Sequence, residues 1–307
     1  MNWRLGVVVV MLAASASAQQ HPTRVFLNGV ATPVNFNDGD SFRILAGPHS
    51  GAQSRLGGYN SLESFGPVHQ WGTWTRKELA HYSKLATTNG RQGVWRCTSD
   101  LTKDGYGRLL WWCKDLAIDQ VRKGFAHAMT VSDAPADADV LAAQAEAIAA
   151  KRGMWAHGVP DYVLTSNHSA AEGYPQPYNR MVSTKDGSSR KWEHHQTYEE
   201  CSATCQPTDD GDPEKVRAFA HALKVADSAG VYARLDETAL EALITELLSQ
   251  GAITSHLPPG VDRATFEKPL TEAVATGALT KSGKVMSCML YVDFTRRYGA
   301  SRAACLR

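Results

Sequence analysis

"NDGDSFRI", Asn37 to Ile44, decides how the chain is read. Asn37-Asp38-Gly39-Asp40 is dense turn chemistry: short polar side chains that bond nearby backbone, and a glycine among them. From Ser41 onward polar and apolar residues alternate, the period of a strand with one buried face. Asp38 and Asp40 therefore stand at the mouth of a strand. Turn formation accounts for Asp38 and Gly39. Taken alone, Asp40 with Ser41 beside it reads best as part of the same turn; segments further along the chain change that balance.

Working outward, residues 21 to 128 are strand-rich. "TRVFLNGVATPVNF" has short alternations broken by Asn28-Gly29 and Thr32-Pro33, and "DSFRIL" and "AQSRLGGY" flank a Gly-Pro-His-Ser-Gly turn. Trp71, Trp74, Leu79 and Tyr82 fall roughly on one face of a helix predicted over 68–85. "VWRCTSDLTKDGYGRLLWWC", 94–113, reads as two strands around a turn near Lys103-Asp104-Gly105. Cys97 and Cys113 are equidistant from Gly105 and can bridge across an antiparallel pair. A short helix over 117–123 stops at Gly124, and an alanine-rich one over 140–151 stops at Gly153. This order predicts an α+β domain with a small barrel over 19–165, not alternating βα units. Residues 166–195, rich in Ser, Gly, Pro and Asn, read as a linker. Helix starts at Asp212-Pro213, Asp236 and Asp262 then predict a small all-α, disulfide-containing domain over 196–307.

The 307 residues carry a net charge of +1, which argues against disorder and against a broad single-sign surface. The opening "MNWRLGVVVVMLAASASAQQ" has one Arg, an apolar core and Ala16-Ser17-Ala18, the pattern of a signal peptide (1–18) cleaved after Ala18. The expected address is secreted or periplasmic, with no membrane attachment after cleavage. Six cysteines in an exported chain read as disulfides. Cys97 pairs with Cys113 in this reading; Cys201, Cys205, Cys288 and Cys305 form two more bonds whose connectivity stays open. Zinc is the rival for the last four, without the CxxC pairing of common structural sites.

Four segments line up: "DGDSFR" (38–43), "SRLGGYNSLES" (54–64), "DGYGRLL" (104–110) and "KRGMWA" (151–156). In order and spacing, over residues 22–160, the chain resembles the staphylococcal-nuclease (thermonuclease) family. The resemblance implies a five-stranded OB-fold barrel with packed helices, and a calcium-dependent endonuclease acting on DNA or RNA. Residue by residue, it implies that Arg55 and Arg108 clamp the phosphate and Glu63 activates water. It also implies that Asp40, Asn60 and Ser61 face calcium or another divalent cation. Each has a plain structural reading too: a surface strand residue for Arg55, a helix cap for Glu63, a solvated hairpin charge for Arg108. Their joint placement favours catalysis. Phosphodiester hydrolysis needs an activated oxygen and compensation for phosphoryl charge, which these residue types supply.

The chain departs from the family at Asn60, which replaces a carboxylate, and at Leu62, which replaces a proline. Thr130 and Ser132 stand where the best-known member has tyrosines near the base. Asn60 removes a negative charge from the metal set and predicts weaker cation binding. The competing class is a weakly active or inactive module of the same fold that binds nucleic acid or serves as a scaffold. The partner of residues 196–307 is open.

Overall fold

The computed structural model describes residues 24–173, 175–205, 213–227, 230–250, 253, 257–280, 285–293, 296 and 303–306; the expected signal peptide lies outside them. The architecture is mixed α+β, with six helices, five small sheets and three disulfides among the described residues. No closed barrel forms among those sheets. None of the described helices is long and apolar enough to cross a membrane.

Strands β1 (Arg24–Leu27), β2 (Val30–Thr32), β3 (Val34–Asp38), β4 (Ser41–Ile44), β5 (Gln53–Leu56), β6 (Gly58–Ser61) and β7 (Val68–Trp71) come first. Helix α1 (Arg76–Gly90), β8 (Val94–Cys97), β9 (Leu109–Trp111), α2 (Lys114–Arg122), β10 (Ala126–Met129) and α3 (Ala138–Ala149) follow. The four-stranded sheet runs β3-β4-β5-β9, with β4–β5 antiparallel and β5–β9 parallel. Alternation sorts its faces. Phe36, Phe42, Ile44, Leu56, Leu109 and Trp111 are buried in the main core. Asn35, Arg43, Gln53, Arg55, Leu110 and Trp112 stay exposed or half-buried on the other side.

The helix predicted over 68–85 starts later. Thr75 and Glu78 form a reciprocal capping box that fixes the start at Arg76, and 68–71 is strand. The two strands of 94–113 belong to different sheets, β8 beside β1 and β9 beside β5. They still meet where Thr98 and Trp112 exchange both backbone hydrogen bonds at 2.9 Å. The next pair outward is a non-hydrogen-bonded one, in which Cα atoms come closer. Cys97 and Cys113 occupy it, with Cα atoms 4.1 Å apart, and are bridged.

The stretch expected as a linker is ordered structure. Strands β11 (Tyr162–Ser166), β12 (Tyr178–Ser183) and β13 (Ser189–Glu193) make a three-stranded antiparallel sheet. Asp186-Gly187 is the turn between β12 and β13, and Gly187 has φ +72°. The expectation of an all-α C-terminal domain also needs correction. Beside α4 (Pro213–Ala226), α5 (Glu237–Gln250) and α6 (Arg263–Ala275) lie β14 (Ala203–Cys205) and β15 (Ser287–Leu290). β15 pairs with β14 on one side and with β7 on the other. The C-terminal part thus completes a sheet begun in the first part, because β7 would otherwise present an unpaired edge. Cys205 and Cys288 face each other across β14–β15 and are bridged; Cys201 joins Cys305. The Asp262 side chain caps α6 through the Thr265 N–H, as its position predicts; Asp212 lies outside the described residues.

Candidate functional site

The site forms where the β3–β4 turn meets β5 and β6. Asp38 Oδ1 accepts from the Asp40 N–H at 3.2 Å, closing the turn. Gly39 is required by its neighbours: a Cβ there would lie 2.5 Å from Ala86 Cβ on α1 and 2.7 Å from Ser61 Cβ on β6. Its carbonyl accepts from the buried Tyr59 hydroxyl at 2.8 Å. Gln120 on α2 donates to the Ala86 carbonyl at 2.7 Å and reaches the same Gly39 carbonyl at 3.4 Å. The turn is therefore held from three sides, and it delivers Asp40 to the interior.

Asp40 is almost wholly buried, with 3% of its side chain exposed, while Arg55 keeps 22%. Arg55 Nη1 meets Asp40 Oδ1 at 2.6 Å. The other carboxylate oxygen accepts from the Ser61 N–H at 2.8 Å. Arg55 Nη2 donates to Asn60 Oδ1. Burial drives the Asp40 carboxyl up from the ordinary carboxylate range, to about 7, against the opposing pull of Arg55. For Arg55 burial works against the charge, but Asp40, Glu63 and Asp38 outweigh it and hold the guanidinium above its ordinary value. Glu63 thus lies within electrostatic reach of Arg55.

Two histidines that carried no expectation complete the arrangement. His127 on β10 sits opposite Asn60 in the β6–β10 register. Burial lowers its pKa to about 4, so the ring is neutral. Nδ1 lies 3.1 Å from the Ala128 carbonyl and carries the proton, which leaves Nε2 to accept from Asn60 Nδ2 at 3.4 Å. Asn60 Nδ2 also donates to the Ser61 carbonyl at 2.8 Å, and the amide oxygen is thereby aimed at Arg55. His69 on β7 is lowered to about 3, by burial first and then by His127. Its Nε2 accepts the Glu63 N–H at 3.2 Å, tying the backbone of Glu63 to β7.

Arg108 is not bonded into this group. It is paired with Asp104 within its own hairpin, Nε to Oδ2 at 2.7 Å, and lies over the Tyr106 ring. The register nonetheless puts it on the outer face of the sheet with Arg55. Leu110 is opposite Arg55, and Arg108 is two residues before Leu110. Thr130 and Ser132 are engaged by the β12–β13 turn: the Thr130 N–H donates to the Gly187 carbonyl at 2.8 Å and the Ser132 carbonyl accepts from Ser189 N–H at 2.7 Å.

No three His, Cys, Asp or Glu side chains gather into a cation-binding cluster among the described residues. Asp40, Asn60 and Ser61 offer a carboxylate, an amide and a hydroxyl, the hard oxygens a divalent cation of the calcium class takes. Three acids, Asp38, Asp40 and Glu63, act on one arginine while both nearby histidines are neutral. The set matches such a cation in donor type, while Arg55 occupies one oxygen of Asp40 and the amide oxygen of Asn60. No family model matches the chain, and no curated protein matches it.

Proposed function

We propose that the chain is an exported nuclease that hydrolyses phosphodiester bonds of DNA or RNA, built on a strongly bent OB-type barrel. The observation that carries the reading is Arg55: it is ringed by Asp40, Asn60, Asp38 and Glu63 and shares a sheet face with Arg108. Glu63 acts as general base toward water, its backbone steadied by His69. Arg55 and Arg108 hold phosphoryl oxygens and stabilise the charge that grows on them. Asp40, Asn60 and Ser61 would hold a divalent cation, calcium for preference, whose chemistry is to neutralise phosphoryl charge. The barrel reading is supported at Gly57-Gly58. There the chain leaves the four-stranded sheet as β5 and joins β10 as β6, with Gly58 at φ +89°. Three disulfides support export.

Single-turnover cleavage of DNA and RNA by the full chain, with calcium, magnesium or manganese and with chelator, tests the proposal. Arg55→Lys, Arg108→Lys and Glu63→Gln each reduce the rate by on the order of a hundredfold or more. Absence of cleavage under every metal removes the enzyme reading. The second reading is a module that binds without turnover, favoured by the ion pairs Arg55–Asp40 and Arg108–Asp104 that already occupy both arginines.

A further inference from the structure

We infer that the outer face of the four-stranded sheet is a platform for single-stranded nucleic acid, with Trp112 stacking on a base and Arg43 contacting phosphate. The inference deepens the nuclease reading by naming a single strand as substrate. It depends on that reading only for the claim that the bound strand is cut.

The ladder fixes the layout. Arg43 is opposite Gln53, and Arg108, one residue before the Ser54–Leu109 pair, is level with Gln53 on its other side. Arg55 stands one step further along the same face, about 6.6 Å away at the rise of a strand. Trp112 is level with Gly57, one step beyond Arg55. Three arginines and an indole thus follow one another across a single surface, with Asp38 and Asp104 at its margins. The Arg43 side chain is exposed and has no hydrogen bond or ion pair among the described residues, while its backbone lies in the β3–β4–β5 ladder.

Trp112 is 45% exposed, an unusual state for the largest apolar side chain. Gly57 provides its seat: a Cβ there would lie 2.7 Å from the indole Nε1 and 3.1 Å from Cδ1. The ring therefore rests against backbone. The Trp112 backbone is clamped by both Thr98 hydrogen bonds, with the Cys97–Cys113 bridge next to it. A rigid, accessible aromatic plane beside arginines matches an unstacked base followed by its phosphates. A duplex hides its base faces in the stack and cannot use the plane.

The experiment is fluorescence anisotropy of the full chain with labelled short oligo-dT and oligo-U, and with a duplex, in chelator so that nothing is cut. Both single strands bind more tightly than the duplex. Trp112→Ala weakens single-strand binding by about tenfold, and Trp112→Phe retains most of it. Arg43→Glu weakens binding and lowers the slope of log affinity against log salt by about 0.7. Weakening on only one of the two single strands assigns the platform to that nucleic acid. Equal affinity for duplex and single strand, or unchanged affinity in both Trp112→Ala and Arg43→Glu, overturns the inference even if the wild type cleaves. Variant-sensitive binding by a chain that never cleaves upholds the platform and removes the nuclease.

Discussion

Asn60 is a donor as much as an acceptor, and this explains why an amide stands there. Its nitrogen serves the Ser61 carbonyl and neutral His127, while its oxygen serves Arg55. Asn60→Asp adds a charge at the proposed cation site but loses both donated bonds, and it turns an oxygen toward two acceptors. The expected result is tighter calcium binding by titration together with a lower melting temperature, from a loss of about 1–3 kcal/mol. Equal or weaker metal affinity would place Asn60 outside the cation's ligands. His69 gives a second prediction at this scale. His69→Leu leaves the Glu63 N–H without its acceptor, and kcat falls while KM for a saturable oligonucleotide holds. His69→Gln supplies an amide oxygen and recovers part of the rate. Asp40, Arg55 and Glu63 became candidates through the resemblance of their segments to a known family; turn chemistry by itself marks only the Asp38–Asp40 turn. His127 was not, because its role comes from the β6–β10 register, and a histidine in the apolar run "FAHAM" reads as a core residue.

Elements were legible where their ends are written locally. The Gly124 stop and the Asp262 cap fall where the sequence puts them. The Thr75–Glu78 capping box is equally local, yet aromatic spacing that ran on through Val68 concealed it. Thr75→Ala removes that box and costs about 0.5–2 kcal/mol. Thermal denaturation registers the loss, while cleavage at a temperature well below the transition is unchanged, since α1 touches the site through Ala86 at its far end. The hairpin β12–β13 was hidden by composition: its polar residues resemble a linker's, and only Asp186-Gly187 marks the turn. Gly39 carries the sharper consequence for an element. Gly39→Ala drives a methyl into Ala86 and Ser61, an overpacking that costs about 1–3 kcal/mol and displaces Asp40 with the turn. Melting temperature and cleavage rate should fall together.

At the scale of the molecule, division into a barrel and a separate helical unit does not hold at β7. The helical core around Leu240, Ile244, Phe266 and Leu270 is its own cluster. The sheet β14-β15-β7 nonetheless ties that part of the chain to the strand bearing His69. Nothing local in "VHQW" names "SCML" as its partner, since such pairing depends on distant chain. Replacing Cys205 and Cys288 by Ser releases β14 from β15 and costs about 2–4 kcal/mol. A chain ending at residue 165 would leave β7 without β15. Its activity should be well below that of the full chain in a matched cleavage assay, and equal activity would mean that β15 has no part in setting Glu63.

The pairing of His69 with Met289 also has a meaning in time. A chain is made from its N-terminus, and β7 exists long before β15 has been synthesised. Contacts so far apart in sequence form late, after the intervening loop has been closed. Throughout synthesis the strand that holds the Glu63 backbone through His69 waits for its neighbour, so an unfinished chain carries every residue of the candidate site without its final alignment. If the chain is the nuclease proposed above, its site would reach full alignment only once β15 has been made and has paired with β7.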